Sequence, residues 1–76
     1  MKILFFASLA EVTGTSETQM NGIVSLKVLK EKILELYPAL SSHTFTIAVN
    51  QKVVHDEGYP LRDDDEIALL PPFSGG

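Results

Sequence analysis

The 76-residue chain has no cysteine and no tryptophan, two histidines, and six basic residues against ten acidic ones. Without cysteine there is no disulfide, no thiolate metal site and no thiol nucleophile, and the redox compartment leaves no direct mark on the sequence. The excess of acid gives a formal net charge of −4 and a pI of about 4.9. That balance repels phosphate backbones and anionic lipid, so neither nucleic acid nor a membrane is an expected partner, and a protein with a basic face suits it better. No stretch approaches the ~20 consecutive apolar residues that span a bilayer. The start, MKILFFASLAEV, superficially looks like a signal peptide. Its apolar run is too short, Glu11 follows closely, and its removal would cost a small domain its first strand. The expected location is the cytoplasm.

Groups able to do chemistry are equally scarce. His43 and His55 sit in SSHT and VHDE, which match no metal-ligand spacing such as two histidines four apart on a helix. Asp63, Asp64, Asp65 and Glu66 could in principle collect a hard cation, but the run lacks the spaced loop and central glycine of a calcium hand. Aspartates before a strand commonly serve as turn residues. There is no Ser-His-Asp grouping and no glycine loop to cradle phosphate, and a chain this short has little room for a cleft of ~300 Å³. No metal site, no bound cofactor and no catalytic side chain are therefore expected.

What is present is a globular composition, 45% hydrophobic and 21% charged, in a chain near the lower size limit for one independent core. Lys2 to Ala7, KILFFA, reads as a buried strand. Ser8 and Glu11 have capping-box spacing for a short helix that Gly14 can close. Residues 15–20, TSETQM, fit an exposed edge strand. Ser25 caps the clearest helix, in which Leu26, Leu29, Ile33 and Leu36 share one face and Lys27, Lys30, Glu31 and Glu35 the other. Pro38 ends that helix, and residues 38–43 read as a loop. In TFTIAVN, Phe45, Ile47 and Val49 alternate with Thr44, Thr46 and Ala48, as in a half-buried strand. Asn50 and Gln51 turn the chain into a short strand, KVVH. A loop over residues 56–65 precedes a final apolar strand, EIALLP, closed by Pro71 and Pro72.

The order strand, strand, helix, strand, strand, strand predicts an α+β chain. One five-stranded mixed sheet with one main helix across one face, the ubiquitin-like β-grasp layout, accounts for it. In that layout the first and last strands lie side by side at the centre. The expected organisation is a β-grasp domain over residues 1–70 and a flexible, extended tail over residues 71–76.

Two features exceed what such a core needs. Phe5-Phe6, Val53-Val54 and Leu69-Leu70 are adjacent apolar pairs, and neighbours in a strand point to opposite faces. Since one helix covers one face, one member of each pair should form an apolar patch on the other, the mark of a partner site. The second feature is the ending, PPFSGG. Pro71 and Pro72 hold the backbone extended, and the six residues after Leu70 can reach roughly 20 Å. Phe73 calls for a partner pocket. Ser74, Gly75 and Gly76 are thin enough to thread a narrow channel, and they deliver the α-carboxylate of Gly76. Activated as an acyl-adenylate, that carboxylate accepts sulfide to give a thiocarboxylate, or a lysine amine to give an isopeptide.

In ILFFASLAEVTGT at the start, AVNQKVV in the middle and LRDDDEIALLPPFSGG at the end, the chain resembles the small sulfur-carrier subunit of molybdopterin synthase, the MoaD family, over essentially its whole length. That family closes on two prolines, two variable residues and Gly-Gly. The resemblance implies that an adenylating enzyme uses ATP to activate Gly76 and that a sulfur donor converts it to a thiocarboxylate. The charged carrier then docks with the large synthase subunit, expectedly in a heterotetramer, and gives sulfur to cyclic pyranopterin monophosphate for molybdenum-cofactor biosynthesis. The large subunit supplies the catalytic side chains. By family position Phe6, Val53 and Leu70 match the apolar contacts, with Val and Leu standing where some relatives carry bulkier residues. Alternatives are sulfur delivery to thiazole or another thio-cofactor, ubiquitin-like protein modification, or a plain β-grasp interaction domain whose tail is irrelevant.

Overall fold

A computed structural model describes residues 1–72. Five strands form one sheet: β1 (Lys2–Phe5), β2 (Glu17–Gln19), β3 (Thr46–Val49), β4 (Lys52–Val53) and β5 (Glu66–Leu70), in the order β2-β1-β5-β3-β4. β1 and β5 are parallel and every other pair antiparallel. Two helices, α1 (Ser8–Thr13) and α2 (Leu26–Leu36), and a 3-10 helix (Pro38–Ser42) complete the described chain. This is the α+β β-grasp expected from the element order, with the first and last strands at its centre.

The core lies between α2 and one face of the sheet. Leu26, Leu29 and Ile33 of α2 meet Ile3 and Phe5 of β1, Ile47 and Val49 of β3, and Ile67 and Leu69 of β5 in one buried cluster that Leu9 and Leu40 extend. The strand residues alternate because side chains along a strand switch faces. Phe5 also meets Tyr37 edge-on, ring centres 5.3 Å apart, a favoured aromatic geometry.

α2 begins where expected. The Ser25 hydroxyl accepts from the Val28 N–H at 3.3 Å, and the carbonyls of Tyr59 and Glu57 accept from Leu26 and Lys27 at 3.0 and 2.9 Å. Three of the N–H groups that a helix start leaves without an intrahelical acceptor are thus satisfied, and the loop before β5 is tied to the helix. Gly14 closes α1 in the left-handed region, φ 78°, its N–H reaching the Ala10 carbonyl at 2.9 Å.

Several local expectations are corrected. Ser8 is not the cap of α1. Ala7 is, at φ 51° and ψ −130° with no side-chain cap bond, because the chain must reverse sharply after β1, closing a turn from the Leu9 N–H to the Phe6 carbonyl at 3.0 Å. β1 consequently ends at Phe5 rather than Ala7. β2 spans three residues and β4 two, shorter than residues 15–20 and 52–55. Residues 38–42 are not a loop but the 3-10 helix, whose Leu40 is fully buried. Leu36 does not belong to the core: it is 58% exposed, since Leu40 and Tyr37 close this end of the cluster.

That correction gives a stability contrast. Ile33→Ala should cost about 2–5 kcal/mol, the range for truncating a core side chain, a large share of what a small domain has. Leu36→Ala should stay within about 0.5 kcal/mol, as expected for an exposed site. Urea unfolding midpoints of the two variants measure the difference, and similar losses would return Leu36 to the core.

Candidate docking face and C-terminal arm

The sheet face away from α2 follows from the same alternation. Between the buried residues of β1 lies Leu4, between those of β5 lie Ala68 and then Leu70, and between those of β3 lies Ala48. Register aligns them. Leu4 pairs with Ala68, Ala68 with Ala48, and Ala48 with Val53 of β4, while Leu70 pairs with Thr46 one row on. An apolar row therefore crosses four strands, with Glu17, opposite Leu4, at its far edge.

Each apolar pair singled out in the sequence divides between the faces. Phe5, Val54 and Leu69 are buried, whereas Phe6 is 44% and Val53 49% exposed and Leu70 is half-buried. The Phe6 N–H donates to the Leu69 carbonyl at 3.1 Å, which continues the β1–β5 register one residue past the strand and sets Phe6 beside Leu70. Ala7, in its positive-φ conformation, then turns the chain away. That backbone costs a non-glycine residue about 1–3 kcal/mol, and the surrounding hydrogen bonds hold it.

At the other end of the face, a polar clamp fixes the β3–β4 hairpin. Asn50 and Gln51 both have positive φ, 51° and 71°, the signature of a type I′ turn whose twist suits a two-residue hairpin. The Asn50 side chain donates to Asp65 Oδ1 and accepts from the Glu66 N–H, both at 2.9 Å. Asp65 Oδ2 accepts from the Arg62 N–H at 2.8 Å. The Arg62 backbone donor first, and the Asn50 amide second, hold the Asp65 carboxyl below its ordinary value of 3.8, with the Arg62 guanidinium and the N-terminal charge acting the same way against slight desolvation. Asp63 likewise accepts from the backbone, from the Gly22 N–H at 2.9 Å, across forty-one positions of sequence. Two of the consecutive aspartates thus serve the backbone. His43 and His55 are exposed. Among the described residues no group of three or more histidines and carboxylates could hold a metal, there is no enclosed pocket, and no helix is long and apolar enough to cross a membrane.

Leu70 is the last residue of the central strand. Pro71 is half-buried and Pro72 exposed, and neither ring nitrogen can donate to a further ladder bond. The expectations for Phe73, Ser74, Gly75 and Gly76 lie outside the described residues. Leu4, Ala48 and Ala68 were not singled out from the sequence, although their alternation with core positions carried the signal. The Asn50–Asp65 clamp had no such signal, because it joins residues fifteen apart in sequence.

A mixed five-stranded sheet gripping one helix, with its apolar open face ending where the central strand releases the chain, defines a ubiquitin-like β-grasp protein. The chain belongs to the ThiS family, whose model matches residues 3–76. It is 36% identical to the molybdopterin synthase sulfur carrier subunit of Chlamydomonas reinhardtii over an 81-position alignment covering all of this chain and 98% of that protein. Among solved structures it is similar to small archaeal modifier protein 1 from Methanosarcina acetivorans, at 32% identity and a TM-score of 0.77 over 99% of this chain and 94% of that one. A complex of subunits 1 and 2 of molybdopterin-converting factor from Helicobacter pylori contains a chain 28% identical, with a TM-score of 0.73 over 99% of this chain and 96% of that one.

The clamp gives a pH prediction. A folded-state value held below 3.8 for Asp65 means that its contribution is fully present above the unfolded value and is lost as pH falls through the folded one. Asp65→Ala should lower stability by about 1 kcal/mol at pH 7, as for a lost surface hydrogen bond, and the gap from the parent should start to narrow as pH falls below about 4. Urea melts at pH 7 and pH 3 measure it; a gap unchanged at pH 3 would show that charge plays no part.

Proposed function

We propose that this chain is the sulfur carrier for molybdenum-cofactor biosynthesis, working through the C-terminal carboxylate of Gly76 on an arm formed by residues 71–76. The observation that carries the reading is full-length similarity to a molybdopterin synthase sulfur carrier subunit, in a fold whose central strand ends at Leu70 beside Phe6 on the apolar open face. In this reading residues 1–70 are the body, which docks through Phe6, Val53 and Leu70. Pro71 and Pro72 hold the arm away from the sheet, Phe73 finds a pocket on the partner, and Ser74, Gly75 and Gly76 enter a narrow site.

The chemistry is acyl transfer. An adenylating enzyme joins the Gly76 carboxylate to AMP from ATP, releasing pyrophosphate. Sulfide from a donor then attacks the acyl carbon, and the C–O bond to AMP breaks to leave the thiocarboxylate. Docked on the large synthase subunit, the carrier's thiocarboxylate sulfur bonds to a carbon of cyclic pyranopterin monophosphate as a carbon–oxygen bond there breaks. Water then cleaves the resulting thioester, leaving the sulfur on the pterin and returning the Gly76 carboxylate. This chain contributes an acyl group and a docking face; the side chains that catalyse transfer belong to the partner. The setting is the cytoplasm, where ATP for activation is at hand, and the working assembly is a heterotetramer with the large subunit. A second reading, conjugation to protein lysines, is favoured by similarity to a small archaeal modifier protein, and sulfur delivery to thiazole uses the same first steps.

Incubation with ATP, an adenylating enzyme and sulfide should raise the intact mass by about 16 Da as sulfur replaces oxygen, whereas conjugation gives branched adducts. Removing Gly75 and Gly76 should abolish sulfur transfer and leave the thermal melt unchanged; cofactor synthesis by the shortened chain with its large subunit would sink the reading. Separately, Phe6→Asp and Leu70→Asp should each weaken large-subunit binding tenfold or more, roughly the effect of placing a charge in a desolvated apolar contact, with the fold retained. Unfolding of both variants would instead put these side chains in the core.

A further inference from the structure

The open face is not level. Ala68 occupies the middle of β5, itself the middle strand, with Leu4 paired on one side and Ala48 on the other. Alanine is depleted from strands, where larger side chains gain contacts with their cross-strand neighbours. Here two alanines stand side by side at the centre of a sheet. The core does not require it: Ala48 is buried yet lies outside the cluster packed under α2, and Ala68 is half-buried and likewise outside that cluster. A valine at position 68 would suit the strand and pack against Leu4. Around this low centre stand Leu4, Val53 and Leu70, with Phe6 beside Leu70, and Thr46, Glu66 and Lys2 complete the rim.

We infer that Ala68 is a specificity-determining position of the docking face. Its missing bulk leaves a shallow socket, bounded by Leu4 on the neighbouring strand and Leu70 along β5, with Val53 on the far side of Ala48, that takes a projecting apolar side chain from the large synthase subunit. The inference rests on the docking reading above, because the socket is continuous with the Phe6–Leu70 patch. Its occupant is apolar because the row across the sheet, Leu4, Ala68, Ala48 and Val53, is hydrocarbon, with the polar Lys2–Glu66 pair only at one rim and Thr46 beside Leu70 at the other.

Three variants test it by titration calorimetry against the purified large subunit, with thermal melts alongside. Ala68→Gly keeps the socket open without adding a polar group and should bind within about threefold of the parent. Ala68→Val should weaken binding about tenfold and Ala68→Leu about a hundredfold, the range for forcing extra methyl groups into a packed contact, with melts no lower than the parent's. Parent-like or tighter binding by folded Ala68→Leu overturns the inference, and Ala68→Val decides the matter if the leucine variant does not fold. Phe6→Asp separates this from the docking reading. Weak binding by Phe6→Asp with parent-like binding by Ala68→Val and Ala68→Leu overturns the socket alone, whereas parent-like binding by Phe6→Asp overturns the docking reading beneath it.

Discussion

The parallel pairing of β1 with β5 is the contact on which the rest of the molecule depends. It joins residues 2–5 to residues 66–69, so nearly the whole chain is the loop that it closes. Loop closure costs entropy that rises slowly with length, and the return comes from Ile3, Phe5, Ile67 and Leu69 entering the core together under Leu29 and Ile33. The same pairing fixes both halves of the open face. Leu4 comes to lie beside Ala68, and Phe6 beside Leu70, only because these two strands run together.

Among the described residues, one main helix over one sheet leaves the second face without a covering layer. Each residue of that face left in water forgoes burial worth about 25 cal/mol per Å² of apolar surface, a real loss in a domain whose core is this small. The protein meets it in part by local devices. The helix start is satisfied by the loop before β5, the hairpin is clamped by Asn50 and Asp65, and Leu40 reaches the core from a turn of 3-10 helix. These hold the sheet in shape without covering it.

The main elements were legible because their signals are periodic. Leu26, Leu29 and Ile33 repeat at helical spacing, Ile47 and Val49 at strand spacing, and the adjacent apolar pairs announced a two-sided sheet. What escaped was decided by geometry rather than by period. Leu36 has the right spacing for the core but the wrong place along the helix, where Leu40 and Tyr37 close the cluster. Ser8 has the right chemistry for a cap, yet the turn demanded at Ala7 starts the helix one residue early. The open-face alanines were hidden by their own smallness: a weak strand former attracts no notice in a strand until the register shows two side by side. At the candidate site the exposed partners of the apolar pairs were readable, while the clamp that steadies Val53 came from contacts distant in sequence.

The central position of β5 also sets an order of events during synthesis. Translation runs from the N-terminus, so β1, with its run of Ile, Leu and two Phe, is made first and β5 after every other element in the sheet. Until β5 arrives, the side of β1 that it will occupy is an unpaired edge, and β3 and β4 form a hairpin with no bond to β1 and β2. Unpaired apolar edges invite association with other chains. A chain this short keeps that interval brief, and the strand that ends the exposure is the one that leads into Pro71 and Pro72.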